Sequence, residues 1–208
     1  MTTPRSGSFG QHVPLSPLDR LGTWWGRRAM ARRVGPLTGR RVADLGCGYE
    51  ATLGRTIAHE VMALTLVDLD LNADLEALPN TSLIRGRLPD ALEGLHAQGH
   101  DVVVLSSVLE HLDDDQVMLD ACRRLLAPGG VLFVNVPSWW GKSALEFSAF
   151  RLGLSPAEEM NDHRRYYDPR DLWPKLVAAG FVPEDIVCRR HKLGLNTWAT
   201  ARLPASPG

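Results

Sequence analysis

The sequence predicts an α/β fold: a mainly parallel sheet with helices on both faces, closed by an antiparallel hairpin. Three observations predict it. From residue 40 onward, short apolar runs alternate with helical stretches, the pattern of a parallel sheet with crossover helices. Two of the runs, Asp101–Ser107 (DVVVLSS) and Val131–Val136, are continuously apolar, as strands covered on both faces require. The final two runs, Ile186–His191 and Asn196–Leu203, are too close in sequence for a helical crossover and therefore pair antiparallel.

The 208 residues suit one α/β domain with a full core. Residues 1–16 are polar and rich in Gly, Pro and Ser, and are expected to be a flexible segment. Residues 17–39 are expected to hold an N-terminal helix. Pro17 suits its first turn, Leu18, Leu21, Trp24, Trp25 and Met30 offer an apolar side, and Gly35-Pro36 stops it. Residues 40–208 form the main domain. In it, Arg41–Leu45 is a strand running into a glycine turn, and Thr52–Glu60 is a helix. Val61–Val67 and Ser82–Arg85 are strands. Asp114–Ala127 is a helix with acids at its start and Val117, Met118, Ala121, Cys122, Leu125 and Leu126 on its apolar face. Pro128-Gly129-Gly130 ends it. Residues 137–167 form a less regular insert after the strand Val131–Val136, on the edge where open α/β sheets bind ligands. Asp168-Pro169 opens a last helix, ended by Gly180.

Bulk properties narrow the function. Net charge is −1, so nothing global draws the chain to nucleic acid or an anionic membrane. Cys47, Cys122 and Cys188 are odd in number and widely spaced, which fits a reducing compartment better than a disulfide framework or a metal knot. No apolar run is long enough to cross a bilayer, and the N-terminus lacks a signal-peptide core. A cytoplasmic protein is expected, as a monomer or homodimer.

The stretch VADLGCGYEA carries the first chemistry. Gly46-x-Gly48-x-x-Ala51 matches the spacing by which a strand turns into a helix beside a dinucleotide pyrophosphate. Asp44 opposes that reading, because a carboxylate there repels phosphate. It suits a cofactor with a cationic end, although a carboxylate here can also serve the turn alone. Asp68 ends the second strand, where an acid can accept hydrogen bonds from both ribose hydroxyls. Asp70 competes for that role, but the apolar run stops directly before Asp68.

Taken together, VADLGCGYE, TLVDLD, DVVVLSSVLEHL and RLLAPGGVLFVNVP, in this order and spacing, resemble the successive motifs of class I S-adenosylmethionine-dependent methyltransferases. The resemblance covers roughly residues 40–203. It implies a Rossmann-like seven-stranded sheet, mostly parallel, with an antiparallel last strand. It implies S-adenosyl-L-methionine as cofactor and S-adenosyl-L-homocysteine as product. By position it places Asp44, Gly46, Cys47 and Gly48 around the methionine portion, Asp68 on the ribose and Leu69 beside the adenine. Many members carry an acid after the third strand for the adenine amino group. Arg87 stands there in this chain, so backbone groups near Arg87 and Leu88 are expected to replace it.

Methyl transfer from a sulfonium needs an aligned nucleophile, and an oxygen nucleophile gains from a base. Ser106, Ser107, Glu110 and His111 follow the fourth strand at the mouth of the site, and His111 is the base candidate among them. A structural hydrogen bond is the alternative role for it. The Leu109-Glu110-His111 segment is similar to that of ubiquinone-biosynthesis-type O-methyltransferases. Related enzymes with Glu-x-x-Glu-His use it on a divalent metal. Ser107 replaces the first acid here, so no metal is expected. His163 in the segment NDHRRYY is the second base candidate, with Arg164 for an acidic substrate group and Tyr166 for the pocket wall. The alternative for this segment is a polar loop capping the next helix. Trp139, Trp140 and Phe147 begin the insert as a substrate wall or lid, or as aromatics packed on the domain. Trp24-Trp25-Gly26-Arg27-Arg28, with Arg32 and Arg33, could bind RNA. A helix covering the cofactor is the simpler account, and a small-molecule acceptor is preferred over RNA or protein. A non-catalytic partner subunit is the remaining alternative.

Overall fold

Seven strands make one sheet in the computed structural model, which describes residues 7–11, 28, 30–95, 97, 99–141 and 164–205. The strands are β1 (Arg41–Leu45), β2 (Ala63–Asp68), β3 (Thr81–Arg85), β4 (His100–Ser106), β5 (Leu126–Pro137), β6 (Ile186–His191) and β7 (Asn196–Arg202). Their order across the sheet is β3-β2-β1-β4-β5-β7-β6. The first five run parallel. β7 is antiparallel to both β5 and β6, so the C-terminal end of β6 arrives at the same edge as the C-terminal ends of β1, β4 and β5.

The helices are α1 (Thr52–Ile57), α2 (Asp115–Leu125) and α3 (Pro169–Ala178), and a helical segment at 30–34 lies before β1. α1 is shorter than the sequence pattern predicts: Ala58 begins a turn in which Glu60 N–H and Val61 N–H both donate to the Ile57 carbonyl. α2 is capped by Asp114, whose side chain accepts from the N–H groups of Gln116 and Val117. Its buried face holds Met118, Leu119, Ala121, Cys122 and Leu125. Val117 departs from expectation: it is exposed, one step round the helix from the stripe set by Met118 and Cys122. Leu126, also assigned to that helical face, instead starts β5. The strand begins earlier than expected because Gly129, at φ +75°, and Gly130 carry it through a register shift against β4.

Strand alternation sorts the core into two layers. Ala43, Leu45, Val103, Leu105, Leu132, Val134 and Ala199 face α2 and α3. Val42, Leu64, Leu66, Val104, Phe133 and Trp198 face the other way, toward α1 and the segment holding Met30 and Val34. Continuous apolar strands follow from this double coverage. No helix among the described residues is long and apolar enough to cross a membrane.

Candidate active site

The period of two that builds the core also builds the site. Continuing the alternation to the strand ends puts Asp68 (β2), Asp44 (β1), Ser106 (β4), Asn135 (β5) and His191 (β6) on the Phe133–Trp198 face. They form one polar row along the C-terminal edge, the edge where parallel sheets take ligands.

Between β1 and α1 the chain makes its glycine turn. Gly46 and Gly48 have φ of +73° and +76°, the left-handed region where a side chain is strained. A Cβ at Gly46 would overlap Val108 Cγ2. The amides of the turn are already engaged: Gly46 and Cys47 donate to the Val67 carbonyl, Gly48 to Asp68 Oδ2 at 2.7 Å and Tyr49 to the Phe9 carbonyl. A pyrophosphate would find these donors occupied and two carboxylates beside it. The dinucleotide reading fails on these grounds.

Asp44 is buried, and among the described residues nothing hydrogen-bonds its carboxylate. Desolvation, and secondarily the charge of Asp68, pushes its pKa up to about 7. A buried, unpartnered carboxylate next to a second one is a receptor for a cation, and the ammonium of S-adenosylmethionine fits it. Asp68 is buried as well. Its Oδ1 accepts from Leu69 N–H at 2.8 Å and from the Ser8 hydroxyl. Asp70 points away to Gln11 and Arg85, with its side chain 45% exposed. Cys47 is half-buried, and burial pushes its thiol pKa up, so it is an apolar wall rather than a nucleophile. Leu69 and Leu88 are half-buried. Gly86 N–H donates to the Asp68 carbonyl, which draws the loop carrying Arg87 and Leu88 alongside Asp68. Arg87 itself is exposed.

Ser8 is a residue the sequence did not reveal. Its hydroxyl donates to Asp68 Oδ1 and accepts from Asp70 N–H, while Phe9 and Gly10 close a cleft with Cys47, Gly48, Ala51 and Thr52. A polar N-terminal stretch without periodicity carried no signal for this contact.

On the acceptor side, the short turn Leu109–His111 follows β4. Glu110 is fully buried, its Oε2 has no partner, and desolvation pushes its pKa up to about 8. His111 is half-buried and has interactions of its own. The Glu110 carbonyl accepts from Arg164 N–H at 2.8 Å, which ties the end of the insert to this turn. Arg164 is exposed and paired with Asp113. Behind it, Asp115 gathers the Tyr167 hydroxyl at 2.7 Å, Lys175 at 2.9 Å and Arg165 at 3.1 Å. Desolvation raises the Asp115 pKa, but the hydrogen bonds from Lys175 and Tyr167 and the charges of Lys175 and Arg165 outweigh it and hold the carboxyl below the usual range. Tyr166 is buried with its ring 5.6 Å from that of Trp139, whose indole N–H donates to Asp171. Trp140 is exposed beside Gly194. Asp171 also accepts from Asp168 N–H, while the Asp168 carboxylate turns to Arg190. His163, Phe147, Trp24 and Trp25 lie outside the described residues. Among the described residues, no three His, Cys, Asp or Glu side chains come together to hold a metal.

This strand order, with a glycine turn flanked by buried acids, defines a class I S-adenosylmethionine-dependent methyltransferase. Comparisons with known proteins agree. A family model described as a methyltransferase domain matches residues 13–185. The chain is 31% identical over 162 residues to the ubiquinone biosynthesis O-methyltransferase of Psychrobacter arcticus, covering 73% of this chain and 62% of that protein. It is 30% identical to the protein of the same name from Salmonella arizonae, covering 90% and 76%. A structure of a SAM-dependent methyltransferase from Archaeoglobus fulgidus aligns with a TM-score of 0.61 over 86% of this chain and 93% of that one, at 16% identity, a likeness of fold. The chain belongs to the methyltransferase-domain family, and its cofactor is S-adenosylmethionine.

Proposed function

We propose that the protein methylates a hydroxyl group of a small molecule, in the cytoplasm. The observation that carries this is the polar row: acids at the β2–β1 end, where a cationic cofactor is held, pass through Ser106 into uncharged hydrogen-bonding groups at the β5–β6 end. In this reading Asp44 receives the ammonium, Asp68 the ribose, and Gly46, Cys47 and Gly48 line the methionine portion. Leu69 and Leu88 flank the adenine, with backbone groups near Arg87 serving its polar edge. When bound, the cofactor would supply an electrophilic methyl group: an acceptor oxygen would take the methyl carbon and lose its proton, and the carbon–sulfur bonding pair would stay on sulfur. The chain's own work is then to orient the oxygen and exclude water. His111 and His163 are the base candidates from sequence, and Tyr166, Arg164, Trp139 and Trp140 the acceptor wall. Similarity to O-methyltransferases of ubiquinone biosynthesis supports oxygen as the target atom. An RNA substrate is less favoured, since Arg33 of the basic N-terminal stretch stacks 4.3 Å over Trp198 within the domain.

Calorimetry with S-adenosylhomocysteine tests the cofactor half, with a micromolar dissociation constant expected and no binding overturning it. Incubation with methyl-tritiated cofactor tests the acceptor half. Label in small hydroxylated compounds supports the reading, whereas label confined to RNA or protein overturns it.

A further inference from the structure

His191 is joined to the cofactor side of the edge by two hydrogen bonds. Asn135 Nδ2 donates to Ser106 Oγ at 3.2 Å, and Asn135 Oδ1 lies 2.9 Å from His191 Nε2. Asn135 is 3% exposed and sits on β5, paired in register with Ser106. An amide oxygen has no proton to give, so His191 Nε2 carries the hydrogen of that bond. The other ring nitrogen, Nδ1, is then a bare lone pair. It has no partner among the described residues and is not sealed from solvent.

The surroundings hold this arrangement. His191 ends β6, and the turn that follows is pinned to the end of β5: Ser138 N–H donates to the Leu195 carbonyl and its hydroxyl to that of Gly194. Gly141 packs so closely on the Leu195 carbonyl that any Cβ would overlap it. Lys192 and Leu193 in the turn take left-handed φ of 52° and 57°, costly conformations that persist where the surroundings impose them. Burial, with Lys192 and Arg33 nearby, lowers the imidazole pKa to about 4, so it is neutral at physiological pH.

We propose that His191 is the acceptor-binding residue at the far end of the row: its Nδ1 accepts a hydrogen bond from the acceptor's hydroxyl and takes its proton as the methyl group arrives, while Asn135 fixes the ring and its tautomer. The atoms balance with the transfer described above. The oxygen loses its proton to Nδ1, giving an imidazolium that returns the proton to water. Asn135 is a positioning residue, since it acts through the ring. This inference rests on the hydroxyl-methylation reading.

The test uses the full chain and catechol, a small probe with two hydroxyls. The histidine side chains are labelled with nitrogen-15, and the His191 signals are identified by their loss in His191→Gln. Glutamine keeps an N–H for Asn135 but has nothing at the place of Nδ1. The expected results are an unprotonated Nδ1 in the wild type between pH 6 and 8, and an upfield shift of that nitrogen when catechol is added to the S-adenosylhomocysteine complex. His191→Gln should bind S-adenosylhomocysteine within twofold of wild type and catechol at least tenfold more weakly. Failure of the wild type to bind S-adenosylhomocysteine overturns the methyltransferase reading on which this rests. If that compound binds but Nδ1 is protonated or unmoved by catechol, the His191 assignment alone is overturned. Equal catechol binding by His191→Gln has the same consequence.

Discussion

Between β2 and β1 the sheet edge carries two buried carboxylates, Asp68 and Asp44, whereas between β5 and β6 it carries an amide and a neutral imidazole, Asn135 and His191. The same alternation places both pairs on one face, yet the chemistry inverts along the row. The first half stores repulsion: two acids share a dry site, and one has its pKa pushed to about 7. The second half is electrically quiet, with Glu110 protonated below about pH 8 and His191 unprotonated above about pH 4. In the proposed function, a cofactor that arrives cationic and leaves neutral meets the first half, and a neutral acceptor meets the second. If the proposed function holds, the contrast means that charge on this edge is graded to the ligand, not merely gathered at a pocket.

Three experiments bear on that contrast. The largest effect is expected from Asp68→Ala, which removes the acceptor of the Gly48 and Leu69 N–H groups as well as the proposed ribose contact. Hydrogen bonds to a charged group contribute roughly 1.5–3 kcal/mol each. Affinity for S-adenosylhomocysteine should therefore fall at least about 100-fold by calorimetry. A loss below tenfold would remove Asp68 from the charged half.

A smaller effect comes from pH. Burial raises the Asp44 pKa from 3.8 to about 7 in the ligand-free fold, and the ammonium proposed to sit on it would favour its ionised form. Cofactor affinity should rise with pH, levelling off above about 7, and should be about fivefold weaker at pH 6 than at pH 7. Ligand-free stability runs the other way. Between about pH 4 and 7 the folded state keeps a proton that the unfolded chain has released, so stability declines as pH rises. Asp44→Asn should flatten both slopes, which titration calorimetry and urea unfolding across pH would show.

The smallest effect is expected from Glu110→Gln. At pH 7 the buried acid is neutral, and an amide of the same shape replaces it. Turnover at that pH should stay within about threefold. Wild-type stability should decline from about pH 5 to 8 as the unfolded chain releases its proton, and the variant's should not. A hundredfold loss of turnover at pH 7 would give Glu110 a direct part in the chemistry and undo the quiet half.

Legibility in the sequence divides along the same line. The first half is compact: Asp44, Gly46, Gly48 and Asp68 fall within 25 residues, and each stands at a place dictated by strand, turn or strand end. The second half is assembled from Ser106, Asn135 and His191, spread over 86 residues and joined only by sheet topology. Asn135 did leave a trace, as the lone polar residue in the apolar run VLFVNV. Glu110 was visible within the Leu-Glu-His segment, but its burial was not, because burial depends on long-range packing such as the Arg164 N–H reaching its carbonyl across 54 positions. Val117 and Leu126 were placed on a helix face by the spacing of apolar residues. Neither boundary nor rotation could be fixed more finely until β5 was seen to begin at Leu126.

The close approach of Val108 to Gly46 has a mechanical meaning. Methyl transfer depends on the separation between donor carbon and acceptor atom to within a fraction of an ångström. Here the turn proposed to line the donor and the segment proposed to begin the acceptor side come so close that a Cβ on Gly46 would overlap Val108 Cγ2. Tightly packed aliphatic groups compress very little. In the proposed reaction Gly46 and Val108 would act as a spacer of fixed thickness between donor and acceptor, and a glycine's missing methyl would be the gauge that sets it.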